Sequence, residues 1–333
     1  MPTEVLSIED LRLNFNTEQG VLYALRGVDL TVGRIEVVGL VGESGCGKTV
    51  LGLCVLGLNP MPPAELLEGS RILFMGRDIA GLTQNELTLV RGTGISMIFQ
   101  EPMTSLNPVF TVGDQIGESI KLRLQREQSE KKPHSASTTV EAEVLDALRL
   151  VRIADPDRVA HRYPHELSGG MKQRAMIAMA LAAKPSLLIA DEPTTALDVT
   201  IQAQILTLMR DLMREVQTSI LFITHDLGVI AEIADRVAVM YAGQIVEEAD
   251  VRDLFREPLH PYTQGLLSSL PRLSELDKEI QQLPGSVPDA LSPPKGCSFH
   301  PRCGHATAQC LTIPPKLVTP RSGHKVACHL CQE

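Results

Sequence analysis

The sequence predicts an α/β protein with a mostly parallel sheet, followed by an extension rich in loops. A short apolar run at 36–41 leads into a glycine-rich segment and then into an apolar stretch that Pro60 ends, which is the order strand, loop, buried helix. Downstream, apolar runs alternate with helical stretches such as 199–216, as in a parallel sheet with crossover helices. After about residue 255 prolines become frequent, which marks an appended region. The further strand-like runs are 186–190, 219–223 and 236–241.

The glycine-rich segment 42–49 matches the phosphate-loop pattern, in which a final Lys and Ser or Thr follow two spaced glycines. The glycines allow backbone N–H groups to turn inward on phosphates, and the following helix N-terminus adds partial positive charge. Lys48 can reach the outer phosphates of ATP, and Thr49 can ligate magnesium. The residues predicted to contact the nucleotide here are Gly42, Glu43, Ser44, Gly45, Cys46, Gly47, Lys48 and Thr49.

A second motif is the apolar run 187–190, which ends in Asp191 and Glu192. Such a run is typical of a central parallel strand buried on both faces, whose acidic end lies at the ligand crevice. Asp191 is predicted to hold magnesium, and Glu192 to polarise the attacking water. Standing alone, two acids at a strand end would more simply cap a loop.

A third motif, residues 167–174, contains Ser168, Gly169 and Gly170 at the start of a predicted helix, where free N–H groups and small side chains suit an anion. In this order the three motifs resemble an ATP-binding subunit of an ABC transporter, and the resemblance covers nearly the whole chain. It implies a P-loop ABC nucleotide-binding domain with a RecA-like mostly parallel sheet, an antiparallel β subdomain and a helical subdomain, followed by a cysteine-rich C-terminal extension. The implied division is an ATPase domain at 1–255, with its helical subdomain at about 100–166, and the extension at 256–333.

The resemblance also assigns residues that would mean little alone, since a Gln or His after a strand is usually an ordinary loop residue. Gln100 would link magnesium and water to the helical subdomain, and His225 would contact the γ-phosphate. Asp198 would touch an opposite subunit. Phe15 would stack on adenine, with Tyr23 as the alternative.

In the family, the signature around Ser168 acts across a dimer interface, so the resemblance implies a head-to-tail pair with a second ABC ATPase subunit. The segment 260–267 resembles the start of the C-terminal extension in ATPases of oligopeptide and dipeptide importers. This implies two membrane permease subunits, an extracytoplasmic solute-binding protein and a peripheral location on the cytoplasmic face of the cell membrane. Similar proteins carry nickel, glutathione, opines or antimicrobial peptides, so the solute stays open.

Composition bears on whether the protein binds nucleic acid or spans a membrane. The net charge of −9 and the absence of a positively charged tail argue against nucleic acid as the main ligand. The N-terminus has no apolar leader, and no run approaches the roughly 18–20 apolar residues of a membrane span. The resemblance of the extension implies an importer ATPase, and an exporter ATPase with the same hydrolysis chemistry is an alternative. The other alternative is a soluble ABC ATPase acting on nucleic acid, but such relatives usually have a second ATPase domain, a coiled-coil insertion or a basic surface.

The extension holds five of the 7 cysteines. In a protein that reads as cytosolic, clustered cysteines favour metal binding over disulfides, although the spacing is not a standard zinc pattern. The resemblance to peptide importers implies a [4Fe–4S] cluster, which four thiolates can hold. Zinc and free thiols are the alternatives, and Cys331 could replace Cys328. The implied ligands are Cys297, Cys303, Cys310 and Cys328.

The chain departs from the family just before the phosphate-loop strand. Relatives usually have Gly-Glu there, whereas this chain has Ile35 and Glu36, with Gly33 two positions earlier. We expect the turn to shift towards Gly33 and Arg34.

Overall fold

The computed structural model describes residues 3–100, 105–129, 139–195, 197–269 and 283–332. The chain divides into two compact units that alternate along the sequence. The first comprises 1–32, 37–81 and 222–333, and the second 33–36 and 82–221. The predicted division at residue 255 stays a prediction.

The strands are β1 Glu4–Thr17, β2 Gly20–Gly33, β3 Val37–Val41, β4 Ala64–Leu66, β5 Arg71–Phe74, β6 Arg77–Asp78, β7 Ile95–Ile98, β8 Leu187–Asp191, β9 Ser219–Thr224, β10 Arg236–Tyr241, β11 Gln244–Asp250, β12 Val318–Arg321 and β13 His324–Val326. The α-helices are α1 Lys48–Val55, α2 Gln84–Val90, α3 Val112–Ser129, α4 Val140–Leu150, α5 Pro156–Ala160, α6 Gly169–Ala182, α7 Val199–Val216, α8 Leu227–Ile233, α9 Val251–Arg256, α10 Pro261–Ser268 and α11 Ala308–Thr312. Short 3-10 helices lie at Pro164–Glu166, His300–Arg302 and His329–Cys331. No helix among these described residues is long and apolar enough to cross a bilayer.

The first unit contains an antiparallel sheet in the order β2-β1-β5-β6, with β4 paired to β1. Side chains on β1 alternate between the core and solvent, with Leu11 and Leu13 buried on either side of the exposed Arg12. This period of two is what a sheet with one covered face requires. The resemblance implied such an antiparallel element.

A second sheet of the first unit has the strand order β12-β13-β11-β10-β3-β9. Every residue of β3 is buried, and β3 runs parallel to β10, which fits a strand covered on both faces. β11 pairs antiparallel with β13, where Glu247 lies opposite Val326. The extension therefore adds two strands to this sheet and is more than a set of loops.

In the second unit, β7 and β8 are parallel, with Ile98 opposite Ala190. Helix α7 covers the predicted stretch 199–216 and buries one face, because its apolar residues recur at helical spacing. Helix α3 continues to Ser129, and residues 130–138 lie outside the described part of the chain.

The turn before β3 is built differently from the expectation. Ile35 occupies the left-handed region at φ 52°, whereas Gly33 has ordinary backbone angles. The Ile35 N–H donates to Ser219 Oγ (2.9 Å), and the Gly33 N–H donates to the Glu36 carboxylate (2.5 Å). These bonds hold a β-branched residue in a conformation that such residues rarely adopt.

Candidate active site

The phosphate-loop segment 42–49 joins β3 to α1 in the first unit. Three of its residues need positive φ: Gly42 at 158°, Gly45 at 81° and Gly47 at 107°. A Cβ atom on Gly42 would lie 2.2 Å from the carbonyl oxygen of Met240, so the first glycine is required by close backbone packing. Gly47 precedes α1 and provides no side-chain cap, which leaves the first N–H groups of that helix for an anion.

Lys48 is buried, with 6% of its surface exposed. Its Nζ donates to the carbonyl oxygens of Gly42 (2.7 Å) and Glu43 (3.1 Å). The loop therefore curls around the ammonium group and fixes a positive charge at its centre. Contact of this charge with the outer phosphates stays a prediction.

The other residues of the loop are placed as follows. Ser44 and Gly45 are exposed, and Thr49 is half-buried in the first turn of α1. Cys46 is buried, burial raises the pKa of its thiol, and its carbonyl accepts from the Gly243 N–H (2.9 Å). Its Sγ lies 3.8 Å from Lys48 Nζ, so both its backbone and its thiol contribute to the loop.

In the second unit, the end of β8 carries the predicted carboxylates. Asp191 is 1% exposed and Glu192 is 9% exposed. Glu192 lies in the left-handed region at φ 46°, which is uncommon for a non-glycine residue and recurs at functional sites. Its Oε2 accepts from Gln100 Nε2 (3.2 Å) and from Thr195 Oγ1 (2.9 Å). The fold thus brings together the predicted catalytic pair across 92 residues of sequence.

The signature residues of the second unit lie at the start of α6. Ser168 is the N-cap residue, and its Oγ accepts from the Met171 N–H (3.4 Å). Ser168 and Gly169 are exposed, and Gly170 packs so closely that a Cβ would lie 3.1 Å from Ile201 Cγ2. The 14-residue helix therefore presents an accessible N-terminus, as the anion-site prediction requires.

Four predicted residues are placed without a visible ligand role. Asp198 is exposed and caps α7 by accepting from the Ile201 N–H (2.9 Å). His225 is exposed and follows β9 in the first unit. Phe15 is half-buried on β1, whereas Tyr23 on β2 is 40% exposed. Their assigned contacts with nucleotide or a partner subunit stay predictions. Residue 196, between the two motifs, lies outside the described residues.

Sequence reasoning missed two residues that contact the phosphate loop from the extension. Tyr262 Oη accepts from the Glu43 N–H (2.9 Å), and Arg302 forms an ion pair with the Glu43 carboxylate (2.6 Å). Tyr262 lies within the segment 260–267, which was recognised only as a family marker. No periodicity or spacing connects positions that are 219 and 259 residues from the loop.

The cysteines of the extension lie near one another. The Cys297 N–H donates to the Cys310 carbonyl (2.8 Å). Burial raises the pKa of the Cys297 thiol. It also raises the pKa of the Cys328 thiol, to about 11, and Cys303 contributes to raising both. All seven cysteines are free thiols. Within the described residues, however, no three His, Cys, Asp or Glu side chains are arranged to hold a metal ion. The predicted iron–sulfur site and its zinc alternative therefore have no support from this geometry.

Known proteins that are similar in sequence support the assignment of these residues to an ATP-binding site. Residues 25–195 match the family described as ABC transporter, and residues 246–310 match the family described as oligopeptide/dipeptide transporter, C-terminal region. The chain is 50% identical to the probable peptide ABC transporter ATP-binding protein y4tR of Sinorhizobium fredii, over 97% of this chain and 94% of that protein. It is 47% identical to the dipeptide transport ATP-binding protein DppD of Bacillus subtilis, over 98% and 95% of the two chains.

A solved structure is also similar. It is the dimeric post-hydrolysis state of the ATP-binding cassette MJ0796 bound to ADP and Pi, with a TM-score of 0.62 and 25% sequence identity. The match covers 74% of this chain and 99% of that one. The fold is accordingly that of a P-loop ABC cassette, and the enzyme is an ATPase. With the phosphate loop, signature and strand-end carboxylates in place, this chain belongs to the ABC transporter family and carries the C-terminal region of oligopeptide/dipeptide transporters.

Proposed function

We propose that this chain is the ATP-hydrolysing subunit that powers import of dipeptides, oligopeptides or a related solute. The observation that carries the proposal is the nearly full-length match to two ATP-binding proteins named for peptide and dipeptide transport. The C-terminal family match favours the same class of solute over an exporter or a machine on nucleic acid. Solute choice would depend on partner subunits that bind the solute.

The hydrolysis step follows from the residues described above. Lys48 and the first N–H groups of α1 hold the β- and γ-phosphates. Glu192 accepts a proton from water, the water oxygen bonds to the γ-phosphorus, and the bond from that phosphorus to the β,γ-bridging oxygen breaks to give ADP and phosphate. Hydrogen bonds from Gln100 and Thr195 keep the Glu192 carboxylate oriented for this role.

Magnesium is the expected metal, and it would neutralise charge on the phosphate oxygens. The residues proposed to hold it are Thr49, Gln100 and Asp191, whose hydroxyl, amide and carboxylate oxygens are the hard donors that magnesium prefers. This donor chemistry fits the ion.

The working enzyme is proposed to be a dimer with a second ABC ATPase subunit. Support comes from the accessible N-terminus of α6 and from the dimeric state of the similar cassette. In such a pair Ser168, Gly169 and Gly170 would meet nucleotide held by the other subunit, and Asp198 would touch that subunit. His225 would contact the γ-phosphate, and Phe15 or Tyr23 would stack on adenine.

The remaining partners are proposed on family grounds. Two membrane permease subunits and an extracytoplasmic solute-binding protein would complete the importer. The chain would then lie on the cytoplasmic face of the cell membrane. The domain boundary at 255 and the helical subdomain at about 100–166 are part of the same proposal.

The iron–sulfur cluster is kept as a separate proposal for the extension. It rests on the resemblance to peptide importers and on the clustering of Cys297, Cys303, Cys310 and Cys328 in the sequence of a protein proposed to work in a reducing compartment. Anaerobically purified protein should contain iron and acid-labile sulfide. Zinc without iron, or neither metal, would overturn the cluster and leave the ATPase assignment standing.

Solute uptake tests the proposed function. In host cells that lack this chain, the wild-type gene should restore uptake of radiolabelled dipeptides and oligopeptides, whereas Glu192→Gln should not. Labelled nickel and free amino acids serve as comparison solutes. If the wild-type gene restores uptake of a comparison solute but of no peptide, peptide import is wrong.

A further inference from the structure

Arg302 of the extension contacts the phosphate loop. Arg302 places Nη1 2.6 Å from Oε2 of Glu43 and Nη2 3.0 Å from Oε1, which is a two-pronged ion pair. Only 3% of the Arg302 side chain is exposed, against 30% of Glu43. Its Nε donates to the Pro284 carbonyl (2.8 Å), so the guanidinium is anchored in the extension and points at the loop.

The backbone of the same loop residue is also held. The Glu43 N–H donates to Tyr262 Oη (2.9 Å). The Tyr262 ring packs against Tyr241 and Phe299, with ring centroids 4.6 and 5.4 Å away. Arg302 lies over the rings of Tyr241 and Phe299 at 5.8 and 5.9 Å. The extension therefore binds Glu43 at two points, its carboxylate and its N–H. Both contacting residues pack against the same aromatic rings, those of Tyr241 and Phe299.

These contacts matter for nucleotide binding for two physical reasons. Ordering a flexible loop on binding costs conformational entropy, and a loop already ordered by the fold avoids that cost. In addition, Glu43 is a carboxylate on a loop that receives a polyphosphate. Like charges repel, and a buried, two-pronged arginine neutralises the carboxylate more effectively than an exposed partner would.

We infer that the C-terminal extension is a positioning element of the ATP site. Arg302 and Tyr262 hold the phosphate loop in its binding conformation through Glu43, and Arg302 also cancels the charge that Glu43 would otherwise present to phosphate. This inference rests on the assignment of 42–49 as the nucleotide site.

The test is equilibrium binding of MgATP to the purified full-length chain. Arg302→Ala should weaken affinity about tenfold or more, because it leaves Glu43 charged and unheld beside the phosphates. Arg302→Lys keeps the charge without the two-pronged geometry, so its MgATP affinity should lie between that of the wild type and that of Arg302→Ala. Arg321→Ala is the matched control, since Arg321 is in the same extension and pairs with the exposed Glu257. The MgATP affinity of Arg321→Ala should stay within about twofold of the wild-type value, because an exposed ion pair contributes little.

A second substitution separates positioning from simple support of the fold. In the Arg302→Ala background, Glu43→Gln should recover most of the lost affinity, because it removes the uncompensated charge. An arginine that only stabilised the extension would give no such recovery. The free energy of unfolding is measured beside affinity for every variant.

Tyr262→Phe keeps the ring but removes the hydroxyl that accepts from the Glu43 N–H, and it should weaken MgATP binding several-fold. If Arg302→Ala fails to fold, the MgATP affinity of Tyr262→Phe is the measurement that tests the inference. Wild-type affinity in folded Arg302→Ala, or in Tyr262→Phe when that variant carries the test, would overturn the inference. Failure of Glu43→Gln to restore affinity would overturn the charge argument. If the wild-type chain itself did not bind MgATP, the assignment of the nucleotide site would fail instead.

Discussion

The phosphate loop of the first unit and the end of β8 in the second unit are both strong sequence motifs, yet they are built in different ways. The loop uses backbone groups, glycines at positive φ and contacts with distant residues such as Met240 and Arg302. The end of β8 uses side chains, with Glu192 held by two hydrogen bonds. Changes in the loop should therefore alter stability and affinity, whereas changes around Glu192 should alter turnover alone.

The largest effect is expected at Gly42. Alanine there would place its Cβ 2.2 Å from the Met240 carbonyl oxygen, so backbone must shift. We expect the free energy of unfolding to fall by about 3 kcal/mol, in the range for overpacking a closed site, together with loss of MgATP binding. Denaturant unfolding and nucleotide titration measure the two effects.

Gly45 is the matched control for this prediction. It also has positive φ (81°), but a Cβ atom added there would meet no other atom within 4 Å. Gly45→Ala should therefore cost about 1 kcal/mol of stability from backbone strain alone. Equal losses for the two variants would show that packing against Met240 does not determine the loop.

The next effect is on affinity. Lys48→Ala removes the buried positive charge that the Gly42 and Glu43 carbonyls hold. MgATP affinity should fall about 30-fold, or about 2 kcal/mol, as for a lost charge-assisted bond. Lys325→Ala, which removes an exposed lysine of the same unit paired with Glu248, should leave affinity unchanged. If MgATP affinity fell less in Lys48→Ala than in Lys325→Ala, the assignment of the loop as the phosphate-binding site would be contradicted.

The cluster behind the loop should also depend on pH. His260 is 1% exposed, burial lowers its pKa to about 3, and its Nδ1 accepts from the Tyr262 N–H (3.0 Å). Because the folded pKa lies below the unfolded value, the unfolded chain binds the extra proton. Stability is therefore full above about pH 6.5 and falls as the pH drops towards 3.

At pH 5 this single group should have cost about 2 kcal/mol of unfolding free energy. His260→Asn retains an acceptor at this N-cap position but cannot titrate. Wild type should lose about 2 kcal/mol more than His260→Asn between pH 7 and pH 5 in denaturant unfolding. Parallel pH profiles would show that His260 is not held neutral.

The two regions differ in how much of their structure could be predicted from the sequence. Strands β8, β9 and β10 fall within a residue of the predicted runs, because buried parallel strands are continuous apolar segments with polar ends. The roles predicted for Gln100 and Glu192 came from the family's motifs, but no feature of the sequence predicted the hydrogen bond between their side chains. The contacts of Glu43 with Tyr262 and Arg302 could not be predicted, since long-range pairing leaves no local pattern. Likewise, cysteine spacing alone does not fix where the thiols lie in space.

The smallest effect is expected at the turn before β3. Ile35 is 43% exposed and has φ 52°, so glycine relieves strain without removing buried apolar surface. Ile35→Gly should raise the free energy of unfolding by about 1 kcal/mol. A decrease would mean that the apolar contacts of Ile35 outweigh its strain.

The division of roles between the two regions is tested most directly at Glu192, in the assembled transporter. Glu192→Gln keeps the shape and removes the proton acceptor, so MgATP affinity should stay within about twofold while steady-state hydrolysis falls about 100-fold or more. Thr195→Ala, which deletes one hydrogen bond to the carboxylate, should retain more turnover than Glu192→Gln. Near-normal hydrolysis by Glu192→Gln, or a loss of affinity equal to its loss of turnover, would contradict the account.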